Sequence, residues 1–410
     1  VSDQLVPPVR PSAQLVEIDG TVLVVAEIDP MASDQRPCYV ASRGIATGSF
    51  VRTGDGDRRM TQAEIGLAIA NRGQPRYDVE PVPEASVDDL DGAALARTLA
   101  RVRDTSRSLR DVDDETALRR IRVLVPHEDG RVVPSVAGVL TFGVFPQQFF
   151  PQLTISLVVL PEVDSGGMDT PRFEDNPVIR GAIPDLVVET VSVLRRHMSV
   201  RSYVNGAGRR EQLDYPLEAI REAVVNAVLH RDYSQVTRGT QIQMELHPDR
   251  LVVRSPGSLY GPVRLDDLGN EGVSSSRNAF LANLLADTYL PRSDRLVAEN
   301  RASGIPAMIR ELRRSGLGRP IFANLPSRFE VQFSRSSGID WRDPPGSTQD
   351  VVALTLRRMG RANAAHLTTV VGRSRAAVLR ALRAMIAEGV VEAEGDPKSP
   401  QRAYRWVGTD

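Results

Sequence analysis

Four polar side chains, Glu218, Glu222, Asn226 and His230, recur at four-residue spacing within the stretch 215–234. Residues four apart share one face of a helix, so these side chains form a single polar stripe. An ordinary surface helix carries mostly Lys and Glu there, whereas this stripe combines carboxylates, a carboxamide and an imidazole. It ends in a His-Arg-Asp sequence, and the set suits a site that holds a metal ion and phosphate.

The helix that must position this stripe is indicated by a second, apolar stripe on the same stretch. Asp214 is a suitable N-cap, and Pro216 lies near the first helical position, where its missing N–H costs nothing. Apolar residues at three- and four-residue steps predict a face that packs on a core. They are Leu217, Ile220, Val224 and Val228.

The segments after this helix predict strands and two more helices. Residues 240–246 alternate strictly between apolar and polar, which is typical of a half-buried strand, and 250–254 form the next strand. A helix is predicted at 277–285, and a Gly-punctuated turn leads into another within 299–312. Residues 329–333 predict a closing strand.

The segments before it are less regular. Residues 72–92 are rich in Pro, Asp and Gly, which indicates a linker, and 93–122 show two heavily charged helical patterns. Apolar β-rich runs predict strands at 136–143 and 153–160. An amphipathic helix at 178–198 is expected to pack on that sheet.

Composition sets limits on the class of protein. The chain has 410 residues with 41% apolar and 25% charged residues, which is typical of a globular protein with about two to four domains. Cys38 is the only cysteine and Lys398 the only lysine, and the net charge is -1. A single cysteine excludes intrachain disulfides and fits a cytoplasmic protein, and no apolar run reaches about 18 residues. The chain starts in mid-pattern without Met, so we expect that an N-terminal part is missing.

The N-terminal region has a recognisable pattern. Two β-branched runs flank Asp19-Gly20, which predicts a hairpin within 14–29, and Thr61 with Glu64 predicts a capping box. The sequences Phe50-Val-Arg-Thr-Gly54 and Thr61-Gln-Ala-Glu-Ile65 resemble the second half of a Schlafen AlbA-type domain. In relatives that cut RNA the carboxylates come from the first half, so the resemblance implies no nuclease site here. The alternative is a plain α+β scaffold.

A wider resemblance covers about residues 15–335. The chain resembles a bacterial and archaeal family of ATP-binding transcriptional regulators, also described as RecG-like. The resemblance lies in the order of its motifs, which is R-E-A-x-x-N-A-x-x-H-R-D-Y, strand, strand, P-G-x-L, R-N-x-x-L/I and G-x-x-x-M. The central domain of these regulators is similar to the ATPases of gyrase, Hsp90, histidine kinases and MutL (the GHKL superfamily). The resemblance implies that Glu222 activates the attacking water and that Asn226 holds Mg²⁺ on the phosphates of ATP. The alternative is structural, with Asn226 capping a buried turn and Glu222 paired with Arg231.

The remaining nucleotide motifs depart from the superfamily pattern. The D-x-G-x-G sequence that reads adenine is replaced by Ser255-Pro-Gly-Ser-Leu259, which lacks the carboxylate, and the later G-T-G-I turn reads Ala302-Ser-Gly-Ile305. Arg277 or Arg301 would supply the positive charge for phosphate. The alternative role of the His-Arg-Asp sequence is structural, to cap and brace the C-terminal end of the helix. The resemblance implies these cofactor-binding residues: Asn226, His230, Arg231, Asp232, Gly257, Arg277, Ser303 and Gly304.

The C-terminal region predicts a winged helix. Two helices, a turn at 372–374, a third helix and two strands around a Pro-Lys-Ser-Pro loop follow that plan. From Ser347 onward ten Arg and Lys oppose six Asp and Glu, an excess of four positive charges that favours phosphate contacts. Dimerisation through this domain is the alternative. The core is predicted to contain Val378, Leu379, Leu382 and Ile386, and the predicted DNA contacts are Arg373, Ser374, Arg375, Arg380, Lys398 and Arg402.

Together these patterns predict a multidomain α+β protein. Its expected parts are an AlbA-type fragment at 1–75, a linker at 76–92, a helical and strand region at 93–200, a GHKL-like α/β sandwich at 201–338, a linker at 339–347 and a winged helix at 348–408. We expect a cytoplasmic, homodimeric regulator of double-stranded DNA with ATP and Mg²⁺ as cofactors. The alternatives are a nucleotide-free dimeric scaffold and a slow ATPase acting on DNA. A helicase motor is not expected, because no G-x-x-x-x-G-K-[ST] loop occurs.

Overall fold

The protein is mixed α/β and forms two compact units, Val1–Pro75 with Tyr260–Pro262, and Arg76–Leu259 with Val263–Asp410. The computed structural model describes residues 4–18, 21–28, 31, 35–53, 56–161, 172–205, 208–261, 263–270, 272, 275–299, 304–335, 348–371, 375–387, 389–395, 399 and 402–407.

The first unit consists of short antiparallel strand pairs and two helices. The predicted hairpin is present as β2 with β3, and the capping box is confirmed: Glu64 N donates to Thr61 Oγ1 over 3.2 Å, and Thr61 N donates to Glu64 Oε2 over 2.7 Å. The elements are β1 (Leu5–Val6), β2 (Ser12–Ile18), β3 (Thr21–Glu27), β4 (Tyr39–Val40), α1 (Gly44–Gly48), β5 (Phe50–Thr53), β6 (Gly56–Arg59) and α2 (Gln62–Ala70).

The second unit begins with helices around one small hairpin. One prediction is wrong here: residues 136–142 form a helix, α5, rather than a strand, and every residue of it is buried. The elements up to the polar helix are α3 (Gly92–Thr105), α4 (Asp114–Arg120), β7 (Leu124–Pro126), β8 (Val132–Pro134), α5 (Val136–Phe142), β9 (Ile155–Val159), β10 (Val178–Ile179), α6 (Ile183–His197), β11 (Val200–Asn205) and β12 (Gly208–Leu213).

A six-stranded sheet and a layer of helices position the candidate site. The strand order is β10-β9-β13-β14-β16-β15, parallel between β9 and β13 and antiparallel elsewhere. Helix α6 packs on β9, α7 packs on β14, and α7 lies between α6 and α9. The remaining elements are α7 (Leu217–Leu229), β13 (Ile242–Leu246), β14 (Arg250–Pro256), α8 (Ala279–Ala286), α9 (Gly304–Arg314), β15 (Ile321–Asn324) and β16 (Arg328–Ser334).

Two of the expected domain limits do not match this packing. The segment 76–92, predicted as a linker, contributes Val82 and Leu90 to the main core. Its buried Asp78 accepts hydrogen bonds from two N–H groups at the start of α8, over 2.9 and 3.1 Å. The sheet also draws β9 and β10 from the region 93–200, so the predicted limit at residue 200 would divide one sheet. The second predicted linker, 339–347, lies outside the described residues.

The C-terminal region has a small core of its own and shows the predicted order of three helices and a strand pair, with one extra strand. Val378 and Leu382 are buried there as predicted, but Ile386 is exposed and Met385 is buried instead. The elements are α10 (Thr348–Met359), β17 (Arg361–Asn363), α11 (Ala364–Val371), α12 (Arg375–Ala387), β18 (Val391–Glu394) and β19 (Ala403–Trp406), with the strand order β17-β19-β18.

Candidate nucleotide site

The predicted polar helix is α7, and its apolar face is buried. It begins after Pro216, which occupies the cap position without a side-chain hydrogen bond. The predicted cap, Asp214, is instead bound by the backbone N–H of Ser199 over 2.8 Å and by Arg335 over 2.8 Å. Burial of the apolar stripe fixes the rotation of α7, and therefore the direction of Glu222 and Asn226.

Glu222 and Asn226 meet the first residue of α9. A β carbon added at Gly304 would lie 2.9 Å from Glu222 Oε2 and 3.0 Å from Asn226 Nδ2. Asn226 Nδ2 also donates to the backbone oxygen of Glu222 over 2.7 Å. The structure therefore brings together three predicted residues that are up to 82 positions apart in the sequence.

Glu222 is paired with Arg221, not with Arg231 as the structural alternative proposed. The buried Arg221 guanidinium contacts Glu222 Oε1, binds Glu218 Oε1 over 2.8 Å and donates to the backbone oxygen of Val297 over 3.0 Å. This network was not predicted. The sequence signal that could have indicated it was Arg221 itself, a charged residue next to the apolar stripe of a buried helix.

The environment of Glu222 raises its basicity. Burial raises the pKa of the Glu222 carboxyl above its usual value, and the neighbouring Arg221 charge opposes that shift. A carboxylate with a raised pKa is a better proton acceptor near neutral pH. The arrangement can therefore orient and deprotonate a water molecule if a phosphate is bound beside it.

The predicted cofactor residues of the His-Arg-Asp sequence lie in a turn that braces the end of α7. Arg231 donates to the backbone oxygens of Thr237, over 2.8 Å, and Thr240. The N–H of Asp232 donates to the oxygen of Pro256 at the end of β14, over 2.9 Å. Burial, with a smaller contribution from the Arg277 charge, lowers the pKa of His230 to about 4. These contacts favour a bracing role, and cofactor contacts by the three residues stay a prediction.

Arg277 and Gly257 belong to the same buried cluster. Arg277 is 1% exposed, lies 3.5 Å from Asp232 Oδ2 and donates to the backbone oxygen of Ser258 over 2.7 Å. Gly257 has φ of 101°, and a β carbon there would lie 2.1 Å from Arg277 Nη1. The Arg277 guanidinium thus lies beside Asp232, and its contact with phosphate stays a prediction. Arg301 and Ser303 lie outside the described residues.

The predicted DNA contacts are only partly described. Arg380 on α12 is exposed, Arg375 is partly buried, and Arg402 lies over the ring of Tyr404 at 5.8 Å. Arg373, Ser374 and Lys398 lie outside the described residues. Within the described part of the chain, no group of three or more His, Cys, Asp or Glu side chains could hold a metal ion. None of the described helices is long and apolar enough to cross a membrane.

One comparison with known proteins concerns the strands and helices that follow α7. Residues 239–333 match the family described as "Putative ATP-dependent DNA helicase recG C-terminal". The match supports an ATPase domain of the RecG-like kind. Gly257, Arg277 and Gly304 lie within the matched residues of this ATPase-type segment, whereas Glu222 and Asn226 lie before them.

Other comparisons add less. Residues 67–156 match a domain of unknown function, DUF8451. No curated protein matches the chain. Among solved structures, the DIP2311 protein from Corynebacterium diphtheriae is similar, with 18% identity and a TM-score of 0.46 over 97% of this chain and 76% of that one.

Proposed function

We propose that the protein is a DNA-binding transcriptional regulator whose ATPase-type domain binds ATP and Mg²⁺ between α7 and α9. The observation that carries the nucleotide part is the contact of Gly304, at the start of α9, with Glu222 and Asn226. The positive end of a helix dipole and its free N–H groups favour phosphate. The match of residues 239–333 to a RecG-like ATPase segment supports the same site.

The residues present fit this role. Because Gly304 has no side chain, the start of α9 lies directly against Glu222 Oε2 and Asn226, and a bound phosphate would take the place of this contact. Mg²⁺ keeps most of its ligands from water and phosphate, so one carboxamide oxygen from Asn226 is a sufficient protein ligand. Bound Mg²⁺ would neutralise phosphate charge. Glu222 orients and deprotonates the water, and the proton moves to its carboxylate.

The DNA part of the proposal rests on the C-terminal region, proposed as a winged helix. Arg380 and Arg383 on α12 are exposed and belong to the local excess of positive charge. We place double-stranded DNA on this helix, in a homodimer located in the cytoplasm. ATP would change DNA affinity if it binds two arrangements of the domains with different affinity.

Replacing Glu222 tests the catalytic role. Glu222→Ala is expected to abolish slow Mg²⁺-dependent release of phosphate from ATP while ATP still binds. Glu218→Ala is the matched control, because it removes a carboxylate one turn away that also contacts Arg221. Turnover that persists in Glu222→Ala removes Glu222 from this role.

A nucleotide-free scaffold is the second candidate. It is favoured by Arg277, whose guanidinium lies 3.5 Å from Asp232 Oδ2 and whose charge Asp232 therefore offsets. It is favoured also by Ser255-Pro256-Gly257, which has no carboxylate to read adenine. In that case the Glu222, Asn226 and Gly304 contact only holds α7 against α9, and ATP has no effect on the protein.

A further inference from the structure

A cavity of about 390 Å³ lies in the unit that contains the candidate nucleotide site, and it includes none of the residues predicted for that site. It is bounded by the start of α3, the end of α5, the start of α6 and the segment 288–291. Cavities of roughly 300–1,000 Å³ with a few polar groups are typical of small-molecule sites. The polar groups of this cavity therefore indicate what it could bind.

Two carboxylates, Asp91 and Asp185, line the cavity. Asp91 Oδ1 accepts hydrogen bonds from the N–H groups of Ala93 and Ala94, over 2.9 and 3.1 Å. The other carboxylate oxygen, Oδ2, is left for a ligand. Within the described parts of the chain neither carboxylate pairs with a cationic side chain. Burial and then the Asp91 charge raise the pKa of Asp185. Each carboxylate lies at the start of a helix, whose dipole offsets part of its charge, but neither has a cationic partner, so their remaining negative charge favours a cation.

Arg97, the basic side chain that lines the cavity, does not neutralise this charge. Its Nη2 atom binds Asp294 Oδ1 over 2.7 Å, and its guanidinium lies 3.9 Å from the ring centre of Tyr289. Both interactions hold Arg97 as part of the wall. The carboxylates of Asp91 and Asp185, which have no cationic partner among the described residues, therefore set the charge that a ligand would meet.

A buried hydroxyl supplies an independent observation. Thr141, at the end of α5, lines the cavity and is 2% exposed, and its Oγ1 has no hydrogen-bond partner among the described residues. A buried hydroxyl without a partner has lost its hydrogen bonds to water without replacing them, which is unfavourable. A donor or acceptor from a bound molecule would remove that cost.

We propose that this cavity binds a small primary ammonium compound with an apolar body. An ammonium group has three N–H donors, which match the two carboxylates and the Thr141 hydroxyl. The apolar body packs on Phe142, Leu290 and Pro291, which line the same cavity. This site is independent of ATP and of the proposed function.

The test uses phenethylammonium chloride as the probe, with 2-phenylethanol as the uncharged compound of the same body. Binding to the full chain is measured by saturation-transfer NMR titration. Asp185→Asn and Asp91→Asn are each expected to weaken probe binding at least about tenfold, because a charge-assisted hydrogen bond is lost. Asn is also a good N-cap, so Asp91→Asn preserves the start of α3.

The matched control is Glu189→Gln, which removes a charge from α6 one turn further along and outside the cavity. It should bind the probe like the unaltered protein. The proposal is overturned if 2-phenylethanol binds as tightly as the ammonium probe, or if both Asn variants keep full affinity. It is overturned also if the folded protein shows no saturable binding of the probe.

Discussion

At the scale of residues, the candidate site depends on a buried pair of opposite charges. The side chains of Arg221 and Glu222 are 8% and 11% exposed, so each charge has lost most of its water. Such a pair is stable only while both partners are present, because a single buried charge is costly. Arg221 thus opposes the rise that burial causes in the pKa of Glu222, and it fixes the direction of that carboxylate beside Asn226.

Removing Arg221 is expected to lower the free energy of unfolding by about 3 kcal/mol, since Arg221→Gln leaves Glu222 and the Val297 oxygen without their partner. Arg295→Gln is the control, because Arg295 also binds Glu218 but is half exposed and does not contact Glu222 in the described network. It should cost no more than about 1 kcal/mol. Urea denaturation measures both, and equal losses would contradict the buried role of Arg221.

The partly buried imidazole of His230 predicts a loss of stability in acid. The folded protein keeps His230 neutral down to its pKa of about 4, whereas the unfolded chain binds a proton near 6.5. The unfolded state therefore binds more protons between these values. The stabilisation is complete above pH 6.5 and is lost as the pH falls towards 4, by up to about 3 kcal/mol.

Denaturation curves between pH 4 and 7 measure this effect as a difference between the unaltered protein and His230→Gln. The variant cannot take up the proton, so its free energy of unfolding should fall less steeply with acid. The same slope in both proteins would show that His230 is not held neutral in the folded state.

At the scale of elements, the end of β14 packs closely against the turn after α7 at Gly257. Its φ of 101° and the 2.1 Å distance from an added β carbon to Arg277 Nη1 both exclude a side chain. Gly257→Ala should therefore lower the free energy of unfolding by more than about 3 kcal/mol, through backbone strain and overpacking.

The control for Gly257 is Gly316→Ala, where φ is 71° but no atom lies within 4 Å of the added carbon. Only backbone strain remains there, at about 1–2 kcal/mol. Thermal unfolding of the two variants separates the two costs. A similar change in melting temperature for both would show that Arg277 moves aside easily.

The sequence predicted the elements whose two faces differ. Helix α7 and strand β13 each have one polar and one apolar side, and both were placed correctly. Helix α5 is buried on every side, so its apolar run had no period and was taken for a strand. Ile386 was assigned to the core although Met385 fills it, because one position shifts a helical face by 100°.

Contacts over long distances in the chain could not be predicted from patterns. The resemblance placed Glu222, Asn226 and Gly304 in one site, and the structure brings them together. Nothing in the sequence indicated that Arg221 would reach Val297 or that Arg277 would face Asp232. Such pairs depend on how α7, α8 and the segment before α9 pack, which a single sequence does not specify.

At the scale of the whole molecule, DNA binding is expected from the C-terminal region and depends on salt. Arg380 and Arg383 are exposed on α12, whereas Arg405 pairs with Glu392 and Glu394. Replacing Arg380 and Arg383 together with Ala should weaken binding of duplex DNA and lower the salt slope by about 2. The measurement is fluorescence anisotropy of a labelled duplex over a range of salt concentrations.

The control for that experiment is Arg405→Ala, which removes a charge that carboxylates already neutralise. It should change the DNA affinity and the salt slope much less than the double replacement. If α12 only contributes to dimerisation, the double replacement changes the oligomeric state and leaves the salt slope as it was.

Binding of ATP and Mg²⁺ where α7 meets α9 is tested most directly by calorimetric titration of the full chain with ATP and Mg²⁺. We expect saturable binding that Asn226→Ala weakens by at least about tenfold. Asn283→Ala, which removes the same side chain from an exposed position on α8, should leave the affinity unchanged. A folded protein that shows no saturable binding, or equal affinity in Asn226→Ala, would contradict the nucleotide site.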